Sequence, residues 1–158
     1  MIVLLIVMLA LSPIETIDTK ENPNPNLTEN FRLKDFHVGC GDEIPKEYLD
    51  NLCLLAQNLQ VIRDQIKKPI RIISGYRSPR CNKRVRGAKK SQHMKAKAAD
   101  IRVRGMSMKR LKRTIEKLIK EKKILQGGVG IYRSHVHYDI RGNKARWWKT
   151  RYVGGICK

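Results

Sequence analysis

Apolar residues recur at three- and four-residue steps through Leu49, Leu52, Leu55, Ala56, Leu59, Ile62 and Ile66, the pattern of a helix with one buried face. Pro45 suits the first position of that helix, and Pro69 marks its close. Ile70-Arg71-Ile72-Ile73 is short, β-branched and bounded by Pro69 and Gly75, so it reads as a strand. Asp100-Ile101-Arg102-Val103 reads as another. Ser107 fits the N-cap of a second helix, with Met108, Leu111, Ile115, Leu118 and Ile119 turned inward, lysines outward, and Gly127-Gly128 as its stop. Val129 to Tyr132 and His135 to Ile140 then form two strands joined by a tight turn at Arg133-Ser134. Strands and helices that do not alternate regularly imply an α+β fold, a small antiparallel sheet flanked by helices.

The N-terminal end departs from this pattern. Met1 to Leu11 is an apolar run ending at Ser12-Pro13, too short to span a bilayer comfortably as a helix and of the length of a secretory signal's hydrophobic part. It lacks a preceding basic residue and a small-x-small cleavage site, so residues 1–13 read as a signal peptide or a short anchor, with a buried strand as the alternative. Residues 14–26, with Asn22-Pro23-Asn24-Pro25-Asn26, read as a linker. Residues 27–158, about 130 of them, suit one domain with one core.

The candidate chemistry centres on Ser91-Gln92-His93-Met94-Lys95-Ala96-Lys97-Ala98-Ala99-Asp100 and, some forty residues later, His135-Val136-His137-Tyr138-Asp139. The small residues Ala96, Ala98 and Ala99 suggest a tight turn entering a buried strand, which would bring His93 and Asp100 to one point. In the second stretch alternation puts His135, His137 and Asp139 on one face and Val136 and Tyr138 on the other. Three nitrogen and oxygen ligands with an open fourth position let a divalent ion such as zinc activate a water. Solvated or core residues meet the same spacing by chance, so the pattern alone does not identify a site.

Four blocks in one order carry a resemblance: Ser74-Gly75-Tyr76-Arg77-Ser78-Pro79, then Ser91-Gln92-His93 through Asp100, Gly127-Gly128-Val129-Gly130-Ile131-Tyr132, and Val136-His137-Tyr138-Asp139. Between Leu27 and Trp148 the chain resembles the zinc D-Ala-D-Ala carboxypeptidase family of peptidoglycan peptidases, which includes phage endolysins and shares its fold with the hedgehog signalling domain. The resemblance implies a hedgehog/DD-peptidase-like fold and one Zn2+ per chain on His93, Asp100 and His137. It implies Arg77 as the reader of a substrate carboxylate, with Ser91 and Gln92 shaping the pocket by hydrogen bonds. His135 and Asp139 complete the catalytic set, His135 as a transition-state stabiliser or proton carrier and Asp139 as a group that orients a ligand. The implied reaction is hydrolysis of D-Ala-containing peptide bonds, terminal or in a cross-bridge, during wall remodelling or lysis.

Two departures stand out. Ala96 replaces the usual glycine, a mild change if the backbone stays in an allowed region. Ser134 stands where many members carry the Glu or Asp general base, which opens the alternative of a catalytically silent, zinc-containing wall-binding module.

The remaining features widen the set of partners. The chain has 34 Lys and Arg against 14 Asp and Glu, a formal charge of +20. Lys89, Lys90, Lys95, Lys97 and the lysines from Lys109 to Lys123 make a basic field that concentrates polyanions in a salt-dependent way. Peptidoglycan stem peptides and anionic cell-wall polymers are the expected partners of a monomer that meets membrane only through its N-terminal segment. Nucleic acid is the weaker rival, because no helix-turn-helix, finger or RNA-recognition signature is present. Export, or release from a phage-infected cell at lysis, follows from that substrate. Cys40, Cys53, Cys81 and Cys157 allow two disulfides in three pairings if the chain is exported, and free thiols otherwise. Trp147-Trp148 suits either sugar stacking or packing against the core.

Overall fold

The computed structural model describes residues 23–149. The first apolar periodicity forms helix α1 (Leu49–Ile66), whose Leu52, Leu55, Leu59 and Ile62 are fully buried. The helix does not open at Pro45. A 3-10 turn over Lys46–Tyr48 comes first, and Tyr48, at φ −107° and ψ 1°, interrupts the helical dihedrals before Leu49. At its far end Lys67 turns left-handed (φ 55°) ahead of Pro69.

Strand β1 (Ile70–Ser74) is followed by a short helix, α2 (Pro79–Arg84), capped by Ser78, whose Oγ accepts from the Cys81 N–H at 3.1 Å. At six residues α2 is too short to show a period in the sequence. Then come β2 (Ala98–Val103), α3 (Met108–Lys120), β3 (Gly128–Tyr132), β4 (Val136–Asp139) and β5 (Ala145–Lys149). Ser107 caps α3 as its position predicts, accepting from Arg110 N–H at 3.3 Å. The helix ends well before Gly127-Gly128, because Lys122 adopts φ 56° and the Lys122 and Lys123 N–H groups bond back to Ile119 and Leu118 carbonyls.

The five strands form one sheet in the order β1-β2-β4-β3-β5. Neighbours are antiparallel as expected from β1 through β2 and β4 to β3, and β5 adds one parallel edge pairing on β3. The chain leaves β4, passes its neighbour β3 and adds β5 on the far edge; the Trp147-Trp148 segment lacks the alternation that would have announced it. One sheet face carries Ala99, Ile101, Val103, Val129, Val136 and Tyr138, which join the buried leucines of α1 and Leu111, Ile115 and Leu118 of α3 in one core. Tyr138 is wholly buried, and its hydroxyl donates to the Leu125 carbonyl at 2.8 Å.

The opposite face carries the site. Successive register partners Ser74, Asp100, His137, Gly130 and Trp147 form one row across all five strands.

Of the segment read as a linker, residues 23–26 are described, and they are tied to the domain: Pro25 O accepts from Leu33 N–H at 3.0 Å and Asn26 bridges to Arg32. The apolar segment of residues 1–13 lies outside the described residues. Among the described residues no helix is long and apolar enough to cross a membrane. Cys40 and Cys81 form a disulfide joining the loop before α1 to α2, with Cα atoms 6.0 Å apart. Cys53, half-buried on α1, is a free thiol, and Cys157 lies outside the described residues.

Candidate metal centre

The three expected ligands reach one point by two routes. Asp100 and His137 are direct cross-strand partners on β2 and β4, so strand spacing sets their separation. His93 arrives from a 3-10 turn, Gln92–Lys95, that Ala96 ends in the left-handed region (φ 52°, ψ 26°). That is the conformation for which the resembled family's glycine is suited, and alanine holds it here at a cost of about 1–2 kcal/mol. The turn lets the chain reverse into β2 within a few residues.

All three side chains are buried, at 2%, 5% and 7% exposure for His93, Asp100 and His137. Their facing atoms are close: His93 Nε2 to Asp100 Oδ1 3.3 Å, His137 Nδ1 to Asp100 Oδ1 3.0 Å, and His93 Nε2 to His137 Nδ1 3.2 Å. The far sides of the rings decide their tautomers. His93 Nδ1 lies 2.7 Å from the Gly75 carbonyl, which only accepts, so Nδ1 carries the proton and Nε2 presents a lone pair. His137 Nε2 lies 2.8 Å from Asp139 Oδ2 and donates to it, so Nδ1 presents the lone pair. With both rings neutral, two imidazole lone pairs and a carboxylate oxygen converge, an arrangement that a cation, or a proton on His137 Nδ1, resolves. Ligands of a tetrahedral zinc at about 2.0–2.1 Å are about 3.3 Å apart, which the three separations approach. The donor set fits a divalent ion with one open position.

Neighbouring groups set the charges. Burial pushes the Asp100 carboxyl up, but His93 and His137 outweigh it and hold its pKa well below the usual carboxylate range. Burial pushes His93 down. Burial also opposes the charge on His137, yet hydrogen bonds to Asp100 and Asp139 leave its pKa raised. Asp139 is fully buried behind His137. Burial raises it too, but His137, Arg141 and the Gly128 N–H keep it ionised well below the usual range. Gly128 is required there, since a Cβ would strike the Asp139 carboxylate.

The other expected site residues divide. His135 stands beside the triad with Nε2 3.8 Å from Asp100 Oδ1 and Nδ1 3.0 Å from Ser134 Oγ. Burial lowers its pKa, which favours a neutral imidazole at pH 7. Arg77 was expected to face a substrate carboxylate. It lines the groove and spends two donors inside the protein, Nη2 on Asp100 Oδ2 at 2.5 Å and Nε on Ser74 Oγ at 2.8 Å. Ser91 and Gln92 also line it. Asp139, expected within the catalytic set, does not; it acts on the centre through His137.

The groove over the centre has a volume of ≈ 770 Å³. Arg86, Lys90, Arg141 and Lys149 line it together with Arg77, against Asp100 as the one carboxylate. Tyr132 and Trp147 form an aromatic wall of the groove, so Trp147 of the aromatic pair faces the site. A larger cavity of ≈ 900 Å³, between α1 and the connection from α3 to β3, holds Lys120, Lys122, Lys123 and Lys144 but no convergent ligand set.

The profile of the Peptidase M15 family matches residues 28–139, which include the triad, Arg77 and His135. The chain is similar to the peptidoglycan L,D-endopeptidase MepK of Escherichia coli strain K12, at 32% identity over 87 residues, 52% of this chain and 44% of that protein. MepK of Shigella flexneri matches to the same extent. The chain therefore spans about half the length of the curated relatives it matches.

Proposed function

The chain belongs to the peptidase M15 family, and from that premise we propose that it is a zinc-dependent peptidase of peptidoglycan, cutting D-Ala-containing bonds of stem peptides. The observation that carries this reading is the convergence of His93 Nε2, Asp100 Oδ1 and His137 Nδ1 at one buried point, within 3.3 Å of one another. When bound there, Zn2+ supplies a Lewis acid for the scissile carbonyl and a water acidified towards about pKa 7.

The chain's own residues supply the rest. Arg77 holds Asp100 by one carboxylate oxygen and leaves the other for the ion. Its remaining N–H groups are available to a substrate carboxylate at the groove's edge. Ser91 and Gln92 shape the rim. Neutral His135 takes a proton from the attacking water at Nε2 and returns it to the leaving amine nitrogen. Ser134, in the place of the usual acid, hydrogen bonds to His135 Nδ1 and orients the ring.

The cationic lining of the groove suits acidic stem peptides, and the basic surface beyond it suits anionic wall polymers. A groove of ≈ 770 Å³ holds more than a terminal dipeptide, and the relatives are named endopeptidases; both support cleavage within a bridge. Such a substrate places the protein outside the cytoplasm, by export or by release at lysis.

A second reading, a zinc-holding module that binds wall without cutting it, draws on Ser134. Mass spectrometry of peptidoglycan fragments after incubation with the protein, with and without chelator, separates the two. Chelator-sensitive opening of cross-links or loss of D-Ala supports the peptidase. No new fragments from several wall types, with the ion bound, would leave the binding module.

A further inference from the structure

We infer that β3 and β5 together supply an aromatic bracket that positions both site histidines, with Trp147 of β5 against His137 and Tyr132 of β3 against His135. The inference rests on the proposed metal centre and concerns residues that reach past the family match, since Trp147 lies beyond Asp139. Tyr132 stacks on His135 with ring centroids 4.4 Å apart and planes 17° from parallel. Trp147 meets His137 at 5.0 Å, tilted by 48°. The indole N–H of Trp147 donates to the Tyr132 hydroxyl at 3.0 Å and so ties the two halves together.

The backbone makes room for this arrangement. Gly130 lies between His137 and Trp147 in the row across the sheet, and a Cβ on it would collide with the indole. Trp147 therefore lies over Gly130 and reaches the ring one strand further on. It also covers the Arg141 guanidinium, at 5.7 Å, which binds Asp139 through Nε and Nη2 at 2.8 and 2.6 Å. Trp147 thus acts on His137 directly and through the Arg141–Asp139 pair.

The two arms have different duties. The Trp147 arm fixes a ligand, so its loss should show in metal affinity. The Tyr132 arm fixes a ring outside the triad, so its loss should show in turnover while the ion stays bound. Trp147 and Tyr132 are positioning residues in this scheme.

The test uses the full chain and zinc affinity measured by competition with a chromophoric chelator. Trp147→Leu should weaken zinc by about 10-fold or more, as changes to groups supporting metal ligands do, and Trp147→Phe should recover most of the loss. Tyr132→Leu, which removes the stacked ring, should leave zinc affinity nearly unchanged and lower kcat by roughly 10-fold at constant KM, the cost of a loosened catalytic ring. In a Trp148→Phe background, Cu2+ bound at the centre should quench the emission of the remaining tryptophan, Trp147.

Unchanged zinc affinity in Trp147→Leu would overturn the Trp147 arm, and unchanged kcat in Tyr132→Leu the Tyr132 arm. If Trp147→Leu fails to fold, the absence of Cu2+ quenching would overturn the bracket independently. Wild-type protein that binds zinc but cuts no wall material would overturn the peptidase reading, and the affinity and quenching results would still decide the Trp147 arm.

Discussion

Replacing Asp139 with Asn keeps size and shape while removing one acceptor and the charge. Asp139 Oδ1 accepts from Gly128 N–H at 2.9 Å and from the Arg141 backbone and Nε at 3.2 and 2.8 Å. Oδ2 accepts from His137 Nε2 at 2.8 Å and Arg141 Nη2 at 2.6 Å. An amide can keep only one of these sets, and the smaller loss places its NH2 against His137 and Arg141. His137 then gains nothing by protonation at Nε2 and moves its proton to Nδ1, the atom that must face the ion. Groups that hold ligand histidines are worth about 10–100-fold in metal affinity, or about 1.4–2.7 kcal/mol. With His137 Nε2 now accepting from the new amide, Arg141 Nη2 is the donor left without its acceptor, at about 1–3 kcal/mol, so the metal-free protein should lose about 1–3 kcal/mol. Chelator competition and thermal unfolding of zinc-free protein measure the two losses separately. Zinc affinity within about threefold of wild type in a folded Asp139→Asn protein would refute the tautomer argument.

Further outcomes follow from neighbouring contacts. His135→Gln should retain zinc while kcat falls by about 10²–10⁴-fold, the usual range for a lost acid–base group; loss of the ion would instead make His135 a ligand. Adding zinc at about a thousandfold excess over its dissociation constant should stabilise the fold by about 4 kcal/mol, read as a chelator-reversible rise in Tm. Reducing Cys40–Cys81, which are 41 residues apart, should cost about 4 kcal/mol by chain entropy, measured by denaturant unfolding with and without reductant. Ala96→Gly should change stability by no more than about 1 kcal/mol in calorimetry. Relief of about 1–2 kcal/mol from the left-handed backbone is offset by a lost methyl and glycine's entropy.

The elements that were legible are those whose pattern reports burial. The apolar steps of α1 and α3 and the alternation in β2 and β4 record which side chains meet the core, and Ser107 records an N-cap through a hydrogen bond within its own turn. The triad was legible because the resemblance spans it, and because alternation around His137 separates the site face from the core face. What escaped depends on partners distant in the chain. Trp147 reads as a generic aromatic until parallel pairing with β3 sets it over Gly130. The resemblance marks Arg77 as a reader of substrate carboxylate, but not that its Nη2 also binds Asp100, 23 residues on. The end of α3 escaped because Lys122, a residue with no turn preference, adopts the left-handed conformation that glycine would have advertised.

The row from Ser74 to Trp147 explains why so much of the site comes from one sheet. Sheet register fixes Asp100 against His137, so the separation of these two proposed ligands depends on the same hydrogen bonds and core contacts that stabilise the fold. A one-residue slip of β4 would send His137 into the core and Tyr138 into the groove, and the buried Tyr138 hydroxyl would lose the Leu125 carbonyl. Folding and side-chain placement are therefore specified together for Asp100 and His137, two of the three residues proposed to hold the ion. His93 is the exception, placed by a short turn, the Gly75 carbonyl and a strained Ala96. The adjustable part of the centre is consequently its His93 side, where the chain already departs from the family it belongs to.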